Sequence, residues 1–369
     1  MEKKKICFIA QFPPPIHGLS KAVDTLYNSD LNASLSSKGE FEFEKIDITD
    51  NKKFLQNLNR IRKSKGDLFY FTISQTKGGN LRDLIIFKLL EIQHKKCLIH
   101  LHGGYYRTLI DKDINRWQKK SNYKAIRKLA GAIVLGPSLE YIFRGILPEE
   151  RIYTVFNCVD DQYLMSDEEF EKKTQKIRDK KVKQVLYLSN FIRSKGYFQV
   201  LEIARLEKET VDKGKEKNLH FHFAGGFFHE ADKKIFEDYI KTNNLKDFVT
   251  CHGVVDGISK QNLLKSCDVF ILPTRYPNEG QPISILEAMA NAMMIVSTDH
   301  AGIPDIVQDN RNGIMIRQDN TAKMIYEKLS SVNNAQLVEF CSRNRYYSND
   351  HFTQKIYVNA MKKVFKSLV

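Results

Sequence analysis

Short runs rich in β-branched and aromatic residues alternate with longer stretches of helical periodicity along the whole chain, as a parallel α/β architecture requires. In the first half, KICFIA (from Lys5), LFYFTIS (from Leu68), CLIHLHG (from Cys97) and AIVLG (from Ala132) read as buried strands. Helices are predicted near Lys21 to Tyr27, Leu81 to Gln93 and Ile114 to Leu129. A second series runs through VLYLSN, HFHFAGG, VTCHG, VFILPT and MIVSTD, each followed by a helix-compatible stretch. Between the two series lies SDEEFEKKTQKIRDKK (Ser166 to Lys181), charged and poor in apolar anchors, a linker or a surface helix. The expected organisation is an N-terminal domain at 1–165, a charged linker at 166–181, a second domain at 182–348 and a C-terminal helix at 349–369 packing back toward the first domain. The fold class is α/β with two doubly wound sheets facing a central cleft. Ligands of such sheets bind beyond the carboxyl ends of strands, so chemistry is sought in the loops that follow them.

The length of 369 residues suits two cores of ordinary size. No apolar run approaches the roughly 20 residues that cross a bilayer, and ICFIA is too short for a signal-peptide core, so a cytoplasmic protein is expected. The six cysteines are scattered without a CxxC pair, which points away from a zinc site or a disulfide framework. Histidines 17, 220, 222, 229, 252 and 300 have no metal-ligand spacing on a shared helix, and His220 and His222, alternating on a strand, are expected to flank a core; no metal is expected.

The most informative segment runs from Asn278 to Gly313. Pro282 suits a first helical turn and Ile283, Leu286, Ala290 and Met293 form an apolar face, so a helix is predicted to start near Gln281. Glu279 then falls in the loop before it and Glu287 about one turn inside. A helix N-terminus is a ready anion site, and Glu287, taken as an exposed carboxylate, could accept hydrogen bonds from vicinal ribose hydroxyls. Read alone, two glutamates at this spacing are far more often a loop charge and a solvated helix residue.

The pair sits inside a longer pattern: Pro273-Thr274, Glu279-Gly280, Pro282, Leu286 to Ala290 (LEAMA), Gly302-Ile303-Pro304 and Gly313. Here the chain resembles the family 4 retaining glycosyltransferases of GT-B fold. Asn157, Val159 and Asp160 are similar to the family's NGVD element, and SNFIRSKG resembles its GR…KG loop. FPPPIHGLSKAV and LIHLHGGYY resemble its glycine loop after the first strand and its strand ending in His-Gly. The resemblance covers most of the chain and implies two Rossmann-like domains and a nucleotide-sugar donor.

It also implies roles. Lys195 contacts the donor diphosphate, where a fixed cation stabilises the charge that grows as the glycosidic bond breaks. Glu279 and His102 face the transferred sugar, and Lys195, Glu279 and His102 form the implied catalytic set. Glu287, Gly280, Gln281, Pro282, Ile283, Asn190, Arg193 and Gly18 form the implied donor-binding set. Asn190 stands where the family has arginine, with Arg193 three residues on as its possible substitute; Gln281 replaces an aromatic or aliphatic residue and Ala301 a glycine. No cofactor or obligate metal is implied. The implied reaction is retaining transfer to a hydroxyl of a glycan or lipid-linked glycan acceptor in bacterial surface polysaccharide synthesis. The alternatives are a catalytically silent nucleotide or polysaccharide binder and a sugar-nucleotide epimerase of the same fold.

Charge adds one further expectation. Residues 1–165 hold 27 Lys+Arg and 18 Asp+Glu, which is +9 of the total +14. Nucleic-acid motifs are absent, which leaves an anionic membrane surface or a phosphorylated substrate. The only tryptophan, Trp117, lies in a basic amphipathic stretch from Arg116 to Lys128, read either as an ordinary helix with a solvated face or as a membrane contact with Lys119, Lys120 and Lys124. Lys53, Arg60, Arg62, Lys63 and Lys65 form a rival patch.

Overall fold

A computed structural model describes residues 3–15 and 18–369. The chain divides into two compact units. One comprises the residues up to Cys158 with Asn278–Gln281 and Gln354–Val369, the other Val159–Pro277 and Pro282–Thr353.

The first unit contains a six-stranded parallel sheet of β1 (Lys4–Ala10), β2 (Phe41–Asp47), β3 (Leu68–Thr72), β4 (Cys97–His100), β5 (Gly131–Val134) and β6 (Ile152–Thr154), in the order β2-β1-β3-β4-β5-β6. β3, β4 and β5 are buried throughout, which is why they appear in sequence as unbroken apolar runs. β2 and β6 escaped the sequence reading because they are edge strands: β2 alternates buried and exposed residues, and β6 is three half-buried residues. The core gathers Phe8 between Phe43, Tyr70 and Tyr27, at ring-centroid distances of 4.7, 4.9 and 5.4 Å, and the last helix, Gln354–Leu368, adds Met361, Val364 and Phe365 to it.

The second unit repeats the plan with β7 (Lys183–Leu188), β8 (Leu219–Ala224), β9 (Val249–Gly253), β10 (Val269–Leu272), β11 (Met294–Thr298) and β12 (Gly313–Ile316), all parallel in the order β12-β11-β10-β7-β8-β9. β7 and β10 are neighbours from which the chain winds outward in opposite directions. That switch point is where open α/β sheets form their ligand crevice.

The charged stretch at 166–181 takes the second of its two expected forms, a surface helix rather than a linker. It forms the helix Asp167–Arg178, started by a capping box in which Ser166 and Glu169 exchange side-chain and backbone hydrogen bonds. Phe170 and Ile177 are buried, and so is Lys173, which donates to the carbonyls of Cys267 and Asn291 at 2.5 and 2.6 Å. The unit boundary therefore falls at Cys158/Val159, ahead of the charges, because a lysine that satisfies helix-end carbonyls can be part of a core.

Candidate functional site

In the second unit, the loops after β7 and β10 meet at the switch point. Gly196 has φ +83°, and a Cβ there would lie 2.4 Å from the Pro273 carbonyl oxygen, so only glycine lets the two loops approach this closely. The Arg275 N–H donates to Ser194 O at 2.6 Å, and Arg275 pairs with Asp299 at 2.6 Å. Held in this way, the half-buried Lys195 places its ammonium 5.1 Å from the centre of the Tyr276 ring, whose negative face favours a cation. Asn190 is exposed beyond β7. The Arg193 guanidinium lies 4.4 Å over the Phe198 ring.

The helix that follows β10 is Ile283–Ala290, two residues later than the predicted start near Gln281. Pro282 occupies the cap position, and having no N–H it cannot donate to a ligand, so its part in the site is to set the entry of the chain. The N–H groups of Ile283 and Ser284 meet no acceptor among the described residues, as the first donors of a helix do.

Glu287 corrects the expectation of an exposed carboxylate. It is buried at 4% exposure and pairs with Lys260, whose Nζ lies 2.7 Å from Glu287 Oε1 and 4.3 Å from the Tyr163 ring centre. Asn291 completes the cluster, its Nδ2 donating to Tyr163 O at 2.7 Å and to Glu287 O at 2.9 Å. The sequence reading missed Lys260. The available signal was its position in the helix Gly257–Ser266 just beyond β9.

The first unit contains the other implied residues. His102 follows β4, with its ring centroid 4.0 Å from that of His100. His100 is fully buried, its Nδ1 is 2.7 Å from the Tyr70 hydroxyl, and burial reinforced by His102 holds its pKa well below the usual imidazole value, so the ring is neutral. The Asn278–Gln281 loop packs against this turn. A Cβ on Gly280 would lie 2.8 Å from His102 O and 2.9 Å from Gly103 Cα, so the glycine is required by contact. Glu279 in the same loop is 8% exposed.

Gln281, a member of the implied donor-binding set, braces the loop. Its Oε1 accepts from the Asn157 N–H at 2.8 Å, its Nε2 donates to Leu135 O at 3.1 Å, and its own carbonyl accepts from Asn157 Nδ2 at 3.0 Å. The glutamine that departs from the family pattern thus ties two of the sequence motifs together. Gly18 opens the helix Gly18–Tyr27, beside Ile16 and His17, which lie outside the described residues.

Beyond β1 and β3, the switch point of the first sheet, a cavity of about 720 Å³ is lined by Gln11, Thr72, Ser74, Thr76, Arg82 and Asn278 among others. Asp83 is buried beside it. Burial raises its pKa to about 6, against the opposing pull of Arg82 and the Ser74 N–H. The amides, hydroxyls and one guanidinium of the cavity are interleaved with the apolar Leu19, Phe54 and Ile73.

His220 and His222 alternate with the fully buried Leu219, Phe221 and Phe223. The two histidines are half-buried on β8, where His222 Nδ1 lies 3.0 Å from Nε2 of the exposed His252 and His220 Nε2 lies 2.8 Å from Thr250 Oγ1. Among the described residues no group of three or more His, Cys, Asp and Glu could hold a metal ion, and no helix is long and apolar enough to cross a membrane.

Residues 167–350 match the family of glycosyl transferases group 1. A Klebsiella pneumoniae protein described as an uncharacterized 41.2 kDa protein in the cps region is 21% identical over 327 residues, 85% of this chain and 82% of that protein. The alpha-D-kanosaminyltransferase of Streptomyces kanamyceticus is 23% identical over 281 residues, 73% of this chain and 69% of that enzyme. In fold, the chain is similar to Anabaena Alr3699/HepE, solved in complex with UDP, with TM-score 0.74 and 14% identity over 99% of this chain and 100% of that one. The matched region spans β7 to β12 and includes Lys195, Glu279 and Glu287. With two six-stranded, doubly wound sheets of the GT-B class and this match, the chain belongs to the group 1 glycosyl transferases.

Proposed function

We propose that this glycosyltransferase moves a sugar, with retention of anomeric configuration, from a nucleoside-diphosphate donor to a hydroxyl of a glycan or lipid-linked glycan acceptor in bacterial surface polysaccharide assembly, as a family 4 enzyme. The observation that carries this is the switch point of the second unit, where Lys195 and the open N-terminus of the helix Ile283–Ala290 both follow the strands at which the sheet reverses. A diphosphate finds there a fixed cation and oriented amides. The UDP bound by Alr3699/HepE and the sugar transfer named for the Streptomyces relative support the same class of donor.

In this mechanism Glu287, paired with Lys260, accepts hydrogen bonds from the donor ribose. Lys195 stabilises the leaving diphosphate as the glycosidic C–O bond breaks. The acceptor hydroxyl attacks the face that the diphosphate leaves, and its proton passes to a departing phosphate oxygen. Glu279 and His102 orient the sugar and stabilise positive charge on its ring, without a covalent glycosyl carboxylate. The acceptor enters through the cavity beyond β1 and β3. The amides and Lys195 supply the counter-charge, so no divalent ion is required.

A panel of nucleotide sugars screened by thermal shift identifies the donor, and the anomeric configuration of the product, read by NMR, tests retention. An inverted product overturns the mechanism. Donor binding with neither hydrolysis nor transfer identifies a silent binder instead.

A further inference from the structure

Three helices of the first unit, Phe54–Lys63, Lys77–Ile92 and Arg116–Ile126, pack side by side. Between them runs a groove of about 780 Å³. Each helix faces it with a stripe at helical spacing: Leu58 and Arg62 from the first, Ile85, Lys88 and Ile92 from the second, Trp117 and Lys124 from the third. Ile85, Ile92 and Trp117 are 44, 63 and 65% exposed, a continuous run of large apolar side chains left in water, of the kind that marks an interaction site.

The rim is basic. Glu91 is the one acidic residue lining the groove, and it is matched by Lys88 and Lys128. Of the two basic patches that compete in the sequence, Arg62 of one and Lys124 of the other line this groove, whereas Arg60, Lys63 and Lys65 line a separate cavity with Glu44. Lys119 and Tyr123 leave the candidate contact, because both turn to Asp111, at 2.9 and 2.8 Å.

We propose that this face docks on an anionic lipid bilayer, with the groove taking acyl-chain methylenes, Trp117 seated at the headgroup boundary, and Arg62, Lys88 and Lys124 facing lipid phosphates. Charge complementarity selects the occupant. Protein interfaces are depleted in lysine, whereas lysine-rimmed apolar faces carrying tryptophan are the composition of bilayer-interface elements. Long lysine stems cover apolar surface while their ammonium groups stay in water. The proposal is independent of the donor chemistry of the second unit.

Trp117 is the only tryptophan of the chain, so its fluorescence reports on this face alone. The full-length protein is titrated with vesicles of phosphatidylglycerol and phosphatidylcholine, and with phosphatidylcholine alone. The expected result is a blue shift of Trp117 emission and co-sedimentation with the anionic vesicles only, both lost on raising salt. Lys88→Glu/Lys124→Glu and, separately, Leu81→Ser/Ile85→Ser should each lower partition at least about tenfold, with donor hydrolysis unchanged. These positions are exposed, and circular dichroism checks that the variants fold. Equal or absent binding to both vesicle types overturns the proposal. So does binding that survives both double substitutions, or a concentration-dependent dimer in which Trp117 becomes buried, since the groove then belongs to a second copy of the chain.

Discussion

The Lys260 ammonium lies 2.7 Å from the Glu287 carboxylate, and both side chains are largely withdrawn from water, at 18 and 6% exposure. The carboxylate proposed to hold the donor ribose is thus also half of an ion pair joining two helices of the second unit. Glu287→Ala should weaken UDP binding and, by leaving Lys260 without its counter-charge, lower stability by about 2–3 kcal/mol, less than a fully buried pair because Lys260 keeps some solvent. Lys260→Met/Glu287→Gln should recover part of the stability but not the affinity. Calorimetric titration and urea unfolding measure the two effects; unchanged UDP affinity in folded Glu287→Ala removes the ribose assignment.

Lys195 sits on a turn held by backbone contacts that do not involve its side chain. Lys195→Ala should therefore fold normally and lose about 100-fold or more in turnover, as when one stabilising group of a developing anion is removed. Lys195→Arg should recover only part, since the guanidinium does not reproduce a compact ammonium. Steady-state kinetics with the identified donor tests this. Wild-type turnover in Lys195→Ala would take the residue out of the diphosphate site.

The loop holding Glu279 depends on its neighbours. Gly280→Ala places a methyl against His102 O and Gly103 Cα and should cost about 1–3 kcal/mol together with much of the activity. Gln281→Ala leaves the Asn157 N–H and the Leu135 carbonyl without their partner and should cost about 2–4 kcal/mol. Asn157→Ala removes a different bond, from its Nδ2 to the Gln281 carbonyl, and should cost about 1–3 kcal/mol. Denaturant unfolding measures both, and a Gln281→Ala variant as stable as the wild type would contradict the bridge.

Asp83 has a carboxyl whose pKa is raised to about 6 in the folded chain from 3.8. Between those values the folded state binds a proton that the unfolded chain releases. This contribution to stability is fully present below about pH 4 and is lost as pH rises through about 6. Relative to Asp83→Asn, which does not titrate, the wild type should gain stability as pH falls from 7 to 4. Urea midpoints of the two proteins across that range provide the check, and a constant difference would exclude the shift.

Transfer should survive chelation, because in the proposed mechanism oriented amides and Lys195 act as the counter-charge that a metal supplies in other transferases. Full activity is expected in EDTA. Activity abolished by EDTA and restored by magnesium or manganese would overturn this.

The sequence by itself determined the buried strands, the doubly wound α/β class, the positions of Lys195 and Glu279 in segments that follow strands and that of Glu287 inside the next helix. These are local properties: a strand buried on both faces is a continuous apolar run, and the glycines of a close-approach loop are visible wherever they stand. What only the tertiary structure decided is pairing. Gln281 meets Asn157 across 124 positions, Lys260 meets Glu287 across 27, and Lys173 reaches Asn291 across 118. Nothing in the periodicity around any of these residues specifies its partner, because a polar side chain reads as solvated until the fold brings it a buried acceptor or counter-charge. For that reason Glu287 read as exposed and the stretch from Ser166 to Lys181 as a linker or a surface helix, and nothing in the two basic patches showed that only Arg62 of the second would line the groove beside Trp117. Burial and partner are decided when distant segments pack, and they convert the same charges from surface to core.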